Sequence, residues 1–219
     1  MITKLKVEIW SDMVCPFCYI GKKNFNDALQ NFEHKSEVEI VWRSFYLNKE
    51  LNTKPGETVK ESLALSKGWS EAEVEQATNY TSKMAAESGL QFDFSKAIAA
   101  NSAKAHELAH FAASRNLADK VYEAVFSAYF TEGKNINDKG TLLDIANDIG
   151  LDKKETEDVL SNEVFAPAVD FDYYQAQNLG ITGVPFFLFN EKYSVSGAQP
   201  TSVFHSILND TWSKMQNEI

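Results

Sequence analysis

The chain has 219 residues, of which 44% are hydrophobic and 24% charged, and this composition is typical of a globular protein with a sizeable core. Its 21 Lys and Arg residues are outnumbered by 31 Asp and Glu residues, so the formal net charge is −10. Non-specific binding to nucleic acids or anionic membranes depends on clustered positive charge. The charge therefore argues against both kinds of partner, and the sequence leaves the oligomeric state open.

The amino-terminal segment alternates apolar and polar residues, unlike the continuous apolar stretch of a secretory signal. The longest strongly apolar run, residues 184–189, is far shorter than the roughly 20 residues that cross a bilayer. We therefore expect a cytoplasmic protein, unless a presequence has been removed.

The first elements are predicted to form a β-α-β unit. Leu5, Val7 and Ile9 alternate with polar residues, which is typical of a strand. Apolar residues then recur at helical spacing, so we expect an amphipathic helix from residue 16 to about 33 and a second strand over residues 38–43. A crossover of this length predicts parallel strands in a right-handed unit.

The middle of the chain, from about residue 49 to 167, shows helical patterns with little strand character. Ser70 and Glu73 form a capping-box signal for a helix that Gly89 can end, and Asp152 with Glu155 repeats the signal. Further helices are predicted over residues 101–115, 117–131, 141–149 and 153–178.

The carboxyl-terminal elements are predicted to form a β-β-α unit. Residues 186–189 indicate a short buried strand, residues 193–196 a partner strand, and Pro200 the first turn of a last helix. The predicted fold class is therefore α/β, with a domain of residues 1–48 and 168–219 and an all-helical insertion of residues 49–167.

Only two cysteines occur, Cys15 and Cys18. A structural zinc site needs four ligands, and the remaining ligands would have to come from carboxylates or from the scattered His34, His106, His110 and His205. A structural disulfide between residues only three positions apart would also remove little conformational entropy from the unfolded chain. Such a pair in a reducing compartment is more often catalytic or metal-binding than structural.

The position of the pair favours redox chemistry over a metal site. It follows a strand and starts a helix, and Pro16 suits the first helical turn. Free backbone N–H groups at a helix start stabilise negative charge, so we expect Cys15 to be the nucleophilic thiolate. Cys18, about one turn further along, would resolve a mixed disulfide on Cys15.

Val184 and Pro185 come directly before the late strand. Only about 5 to 6% of X-Pro bonds in folded proteins are cis, so a trans bond is the default expectation. If the bond is cis, the Val184 backbone faces outward and can pair with an extended substrate. The cysteine pair at the end of the first strand leads us to predict the cis form.

A competing motif, His106-Glu107-Leu108-Ala109-His110, matches the pattern of zinc metalloproteases on a predicted helix. The glycine and third histidine of the extended motif are absent, although an acidic residue such as Glu123 or Glu132 could supply a further ligand. We favour a chance match, because a motif without its structural context is a weak signal, and we predict no metal site.

The chain resembles the DsbA-like thioredoxin-fold proteins, and specifically the FrnE-like subfamily. The matching blocks are Ser11-Asp12-Met13-Val14-Cys15-Pro16-Phe17-Cys18-Tyr19-Ile20-Gly21, Asn101-Ser102-Ala103-Lys104-Ala105-His106, Ala128-Tyr129-Phe130-Thr131-Glu132-Gly133-Lys134-Asn135-Ile136, Gly180-Ile181-Thr182-Gly183-Val184-Pro185-Phe186-Phe187 and Val195-Ser196-Gly197-Ala198-Gln199-Pro200. They occur in the family's order along nearly the whole chain.

This resemblance implies a thioredoxin fold with an inserted helical domain, a redox-active Cys15–Cys18 disulfide and a cis Pro185. It implies a thiol-disulfide oxidoreductase that acts on thiol- or disulfide-containing proteins, and some proteins of this kind also isomerise disulfides. We expect Val184 and Pro185, with Pro16 and Phe17, to contact the substrate. The chemistry requires no dissociable cofactor, and glutathione is a candidate reductant.

One residue departs from the strongly oxidising DsbA proteins, which commonly carry His where this chain has Phe17. A phenyl ring donates no hydrogen bond or positive charge to a thiolate, so the reduced form gains less stabilisation. We therefore expect a less oxidising couple.

Two alternatives to a thiol-disulfide oxidoreductase are compatible with this scaffold: a glutathione-dependent enzyme and a non-catalytic binding module. Glutathione-dependent transferases and 2-hydroxychromene-2-carboxylate isomerases also insert helices into a thioredoxin fold, but a serine commonly replaces their first cysteine. The presence of both Cys15 and Cys18 argues against them. The third possibility is a non-catalytic protein-binding module with incidental thiols.

Overall fold

The computed structural model describes residues 4–217, in which four strands form one mixed sheet. The strands are β1 (Leu5–Ser11), β2 (Val38–Ser44), β3 (Phe186–Phe189) and β4 (Tyr193–Ser196), in the order β2-β1-β3-β4. β1 is parallel to β2 and antiparallel to β3, and β3 is antiparallel to β4. This arrangement joins a β-α-β half to a β-β-α half, so the predicted thioredoxin fold is confirmed.

The helices lie between and after these strands. They are α1 (Pro16–Gln30), a 3₁₀ turn (Lys35–Glu37), α2 (Val59–Lys67), α3 (Glu71–Glu87), α4 (Ala103–Ala113), α5 (Ala118–Phe130), α6 (Lys139–Asp148), α7 (Lys153–Ser161), α8 (Ala166–Asn178) and α9 (Thr201–Asn217). Helices α2 to α7 lie within the predicted insertion of residues 49–167, whereas α8 begins at its end and continues to Asn178 before β3. The exact boundaries of the two domains stay a prediction, and residues 1–3 and 218–219 lie outside the described residues.

Helix starts follow local capping chemistry. The Ser70 hydroxyl accepts the Glu73 N–H while the Glu73 carboxylate accepts the Ser70 N–H, so the predicted capping box is confirmed. Thr58 and Glu61 make the same box at the start of α2. This helix was not predicted separately, although the same sequence signal was present.

The prediction of one helix over residues 153–178 is wrong, because the chain turns between α7 and α8. Glu163 has a φ of 51°, a left-handed conformation that interrupts a right-handed helix. Pro167 then lies in the first turn of α8. Proline is tolerated there because a backbone N–H in the first turn has no acceptor within the helix, so its absence costs no hydrogen bond.

One face of the sheet is covered by α1 and α9. The ring of Phe25 on α1 lies 5.6 Å from that of Phe187 on β3, and Phe187 lies 4.6 Å from Phe204 on α9. All three side chains are fully buried. This aromatic core fixes α1, and therefore the cysteines at its start, against the sheet.

Helix α1 also contacts the helical part of the molecule. The Tyr19 ring stacks on Phe126 of α5 with centroids 4.9 Å apart, and its hydroxyl donates to Glu123 at 2.7 Å. The Lys22 side chain is only 2% exposed and pairs with Glu123 at 2.7 Å. Burial alone would raise the pKa of Glu123, but Lys22 and Tyr19 lower it overall. Helix α1 therefore packs against the sheet on one side and against α5 of the helical part on the other.

The opposite face of the sheet is held to α8 by the buried carboxylate of Asp172. It accepts hydrogen bonds from the Arg43 guanidinium at 3.0 Å and from the Ser44 N–H at 3.0 Å. His110 of α4 lies 3.1 Å from the same carboxylate. One aspartate thus joins α8, β2 and α4.

None of the helices within residues 4–217 combines the length and the apolar character that a membrane span needs.

We predict that Asp172→Ala strongly destabilises the fold, because it leaves Arg43 and the Ser44 N–H without their buried acceptor. The expected loss is about 3 kcal/mol of unfolding free energy, measured by urea denaturation. Asp170→Ala is the matched control, since Asp170 pairs with Lys49 at the surface of the same helix. It is expected to cost less than about 1 kcal/mol. Equal losses in the two variants would contradict this role of Asp172.

Candidate functional site

The two cysteines lie where β1 passes into α1. Cys15 is the residue that precedes the first helical residue, Pro16, and Cys18 lies one turn inside the helix. Both are free thiols and both are buried, with 3% and 1% of their surface exposed. The first-turn backbone N–H groups of α1 favour negative charge at Cys15.

The Cys15 sulfur faces the segment before β3. Its thiol donates to the Val184 carbonyl oxygen at 3.7 Å, across 169 positions of sequence. The Val184–Pro185 peptide bond is cis. The strand β3 that follows pairs with β1, so the sheet brings these two chain segments together.

Gly21 on α1 allows the Pro185 ring to approach the helix. A Cβ atom at position 21 would lie 2.9 Å from Pro185 Cγ and 3.5 Å from the Phe187 ring. Real Cβ atoms are hardly ever found so close to another carbon, and the proline ring has little freedom to move away. The absence of a side chain at position 21 therefore sets the distance between α1 and the proline.

Asp12 fixes the turn that carries Cys15. Its carbonyl oxygen accepts the Cys15 N–H at 3.0 Å, and its carboxylate accepts the Val14 N–H at 3.3 Å and the Leu47 N–H at 2.8 Å. Because Leu47 follows β2, this buried aspartate connects the cysteine turn to the neighbouring strand. The imidazole of His106 on α4 lies 3.5 Å from the same carboxylate.

Burial raises the pKa of the Cys18 thiol well above its ordinary value. Hydrogen bonding and charge from Cys15 raise it further, whereas the Ser11 hydroxyl and the Asp12 backbone N–H oppose the increase. A thiol in such surroundings is protonated at neutral pH. Cys18 therefore needs a means of losing its proton before it can act as a nucleophile.

The side chains of the metalloprotease-like motif point to different places. His106 lies beside Asp12, whereas His110 contacts Asp172 and the Ser44 hydroxyl. Burial and the nearby Glu163 raise the pKa of Glu107, and backbone N–H groups at the start of α8 oppose that effect. Each motif residue thus has its own surroundings.

The acidic residues considered as further zinc ligands are also engaged elsewhere. Glu123 pairs with Lys22, and Glu132 with Lys134. Within residues 4–217, no group of three or more His, Cys, Asp or Glu side chains is arranged to hold a metal ion.

The surface beside Cys15 is apolar and open. Phe17 is 36% exposed and Pro16 is partly exposed, while Pro185 is buried. A groove of about 440 Å³ begins at Val14, next to Cys15, and continues between the loop at Leu47 and helix α2. An extended chain that reaches Cys15 would therefore meet apolar side chains on both sides.

Three residues of this site had no role in the sequence-based prediction: Ser11, Asp12 and Gly21. All three lie in the block of residues that carries the family resemblance. Their position at the end of β1 and in the second turn of α1 was visible in the sequence. The hydrogen bond of Asp12 with Leu47 and the close approach of Gly21 to Pro185 depend on tertiary packing and could not be predicted from spacing.

Comparison with protein families gives a match along most of the chain. The family described as a DSBA-like thioredoxin domain matches residues 6–209. Among curated proteins, the uncharacterized protein YwbO of Bacillus subtilis (strain 168) is 29% identical over 213 residues, which are 95% of this chain and 98% of the relative.

Two solved structures show how far the fold is shared. A probable DsbA oxidoreductase from Streptomyces coelicolor is 34% identical, with a TM-score of 0.89 over 95% of this chain and 90% of that chain. A 2-hydroxychromene-2-carboxylate isomerase is 14% identical, with a TM-score of 0.71 over 98% of this chain and 99% of that chain. The second likeness shows the fold alone, so overall shape does not separate redox chemistry from isomerisation.

We predict that Gly21→Ala destabilises the protein by about 1 to 3 kcal/mol, because the new methyl group would overlap the Pro185 ring. Thermal unfolding followed by circular dichroism would measure the loss. Gly183→Ala is the control, since a Cβ at position 183 would meet no atom within 4 Å. The control is expected to unfold near the wild-type temperature. A wild-type melting temperature for Gly21→Ala would show that the close approach has no energetic importance.

Proposed function

Because the chain belongs to the DsbA-like thioredoxin domain family, we propose that it is a thiol-disulfide oxidoreductase that works through Cys15 and Cys18. The observation that carries the proposal is the presence of two free thiols at the start of α1. The Cys15 sulfur lies 3.7 Å from the Val184 carbonyl oxygen. A thiolate in reach of a second thiol, at a helix N-terminus, is the arrangement that disulfide exchange needs.

In the reducing direction, the Cys15 thiolate attacks one sulfur of a substrate disulfide. A bond forms between Cys15 and that sulfur, and the other substrate sulfur leaves with the electron pair and takes up a proton. The Cys18 thiolate then attacks the Cys15 sulfur, which releases the second substrate thiol and leaves a Cys15–Cys18 disulfide. The substrate is reduced and the cysteine pair is oxidised. The oxidising direction reverses these steps.

Substrate recognition would come from the backbone and side chains next to Cys15. Val184 presents its backbone beside the nucleophile and Pro185 shapes the bottom of the site, while Phe17 and Pro16 offer exposed apolar surface. The groove that starts at Val14 gives room for a polypeptide segment. These features support thiol- or disulfide-containing proteins as substrates, with glutathione as a candidate reductant.

Finer assignments rest on the sequence. Membership of the FrnE-like subfamily rests on the motif blocks from Ser11 to Pro200, and a cytoplasmic location on the close spacing of the two cysteines, which is typical of a catalytic pair in a reducing compartment. A less oxidising couple than in strongly oxidising DsbA proteins rests on Phe17. Disulfide isomerase activity is a further possibility on the same chemistry.

We predict that Cys15→Ser abolishes turnover in both insulin reduction and dithiol oxidation, because the nucleophilic sulfur is lost. Cys18→Ser should instead accumulate a mixed disulfide between Cys15 and the substrate, detected by mass spectrometry, because no second thiol resolves it. Both substitutions are near-isosteric, so circular dichroism should show a folded protein in each case.

The same variants separate the proposal from its rivals. Undiminished turnover of a glutathione-dependent small substrate by Cys15→Ser would favour a transferase or isomerase, in which bound glutathione supplies the thiol. Alkylation of both wild-type thiols at the rate of an ordinary cysteine would favour a non-catalytic binding module.

A further inference from the structure

The side-chain hydroxyl of Ser11 is buried. Ser11 is the last residue of β1, its exposure is 0%, and its Oγ has no hydrogen-bond partner among the described residues. Leaving a buried hydroxyl without a hydrogen-bond partner is unfavourable, because the group loses its hydration and gains nothing in exchange. Nothing in the backbone geometry requires serine at this position.

The alternation of side chains along β1 determines which face of the sheet carries the Ser11 side chain. Side chains alternate along a strand, so Ser11 lies on the same face as Val7 and Ile9, which share a hydrophobic cluster with Phe25 and Ala28 of α1. Ser11 therefore faces α1 at its amino-terminal end. Asp12 lies on the opposite side, toward His106.

Cys18 lies in the first turn of α1, at the end of the helix that Ser11 faces. The Ser11 hydroxyl and the Asp12 backbone N–H are the two groups that lower the pKa of Cys18, against burial and Cys15, which raise it. Tyr122 of α5 is an ionisable group that interacts electrostatically with Cys18, and its pKa rises through burial and through the charges of Asp172, Cys18 and Asp12. An apolar core otherwise surrounds the sulfur.

We propose that the Ser11 hydroxyl donates a hydrogen bond to the Cys18 thiolate during resolution of a mixed disulfide, with the Asp12 amide as second donor. The inference rests on the proposed function and deepens it. A buried thiolate surrounded by hydrocarbon is unfavourable unless it accepts hydrogen bonds. Hydrogen bonds from these two donors at the end of β1 would stabilise the Cys18 thiolate while it attacks the mixed disulfide.

The chemical step balances without a further reactant. Cys18 loses its proton, and its thiolate attacks the Cys15 sulfur of a Cys15–S–S–R mixed disulfide. A Cys15–Cys18 bond forms, the bond between Cys15 and the substrate sulfur breaks, and the R–S⁻ group leaves with the electron pair. The proton given up by Cys18 passes through solvent to the leaving thiolate or remains in the buffer.

The test follows the reaction of the reduced protein with Ellman's reagent, which oxidises the pair and releases two coloured thiolates. Attack by Cys15 releases the first, and resolution by Cys18 releases the second. In Ser11→Ala we expect an unchanged first phase and a second phase slower by about tenfold, with its pH dependence moved to higher pH. Ser11→Gly removes the same hydroxyl and should slow the second phase as well.

Thr211→Val is the matched control. Thr211 also has a buried hydroxyl oxygen without a partner among the described residues, but it lies on α9, away from the cysteines. The variant should leave both phases unchanged. In a Cys15→Ser background, where Cys18 is the only thiol left, ultraviolet absorbance of the thiolate should show a higher pKa for Cys18 when Ser11 is alanine.

The outcomes separate this inference from the proposed function. If wild-type protein releases no second thiolate, thiol-disulfide exchange through the pair is wrong. If wild type resolves and Ser11→Ala resolves at the same rate with the same pH dependence, the proposed function stands and the role of Ser11 is overturned. An equal slowing of both phases would also overturn it, because a general distortion of the site would then explain the effect.

Discussion

The structure depends on how the Asp12 carboxylate ties the end of β1 to its surroundings. This buried group accepts the Val14 and Leu47 N–H groups, while its own carbonyl accepts the Cys15 N–H. Cys15 is thereby held where a strand ends and a helix begins, next to the Val184 carbonyl from a distant part of the chain. The aromatic core around α1 and the pairing of β1 with β3 position the helix and the proline segment, and Asp12 fixes the turn that carries the sulfur between them.

The helical part of the molecule supports the same site. His106 on α4 approaches Asp12, and four residues later His110 approaches Asp172, which also binds Arg43. Histidines one turn apart on a helix lie on the same face, so a single helix contacts two buried aspartates at once. The pattern that resembles a metalloprotease motif thus has a structural explanation in which each imidazole contacts its own carboxylate. Helix α4 contacts β2 through His110 and the Ser44 hydroxyl, and it approaches the cysteine turn at His106, whose ring makes no hydrogen bond among the described residues.

The sequence predicted much of this architecture, because its patterns reflect local chemistry. Alternating apolar residues predicted β1 and β2, and the capping box at Ser70 predicted the start of α3. The sequence did not predict the break between α7 and α8, because no glycine lies within residues 153–178 and only Pro167 marks the new start. In the site, the cysteine spacing predicted two thiols at the start of one helix, and the structure places both there. The contacts of Asp12 with Leu47 and of Gly21 with Pro185 join segments that are remote in sequence, and a single sequence contains no signal for such pairs.

The central claim is that Cys15 and Cys18 form one two-electron redox couple. The measurement that tests it most directly is equilibration of the protein in buffers with varied ratios of reduced to oxidised glutathione, followed by mass spectrometry of the acid-quenched protein. The account predicts one transition, from a dithiol to an intramolecular disulfide two hydrogens lighter, with little glutathione-bound protein at any ratio. Persistent glutathione adducts on separate cysteines, or thiols that stay reduced at every ratio, would contradict it.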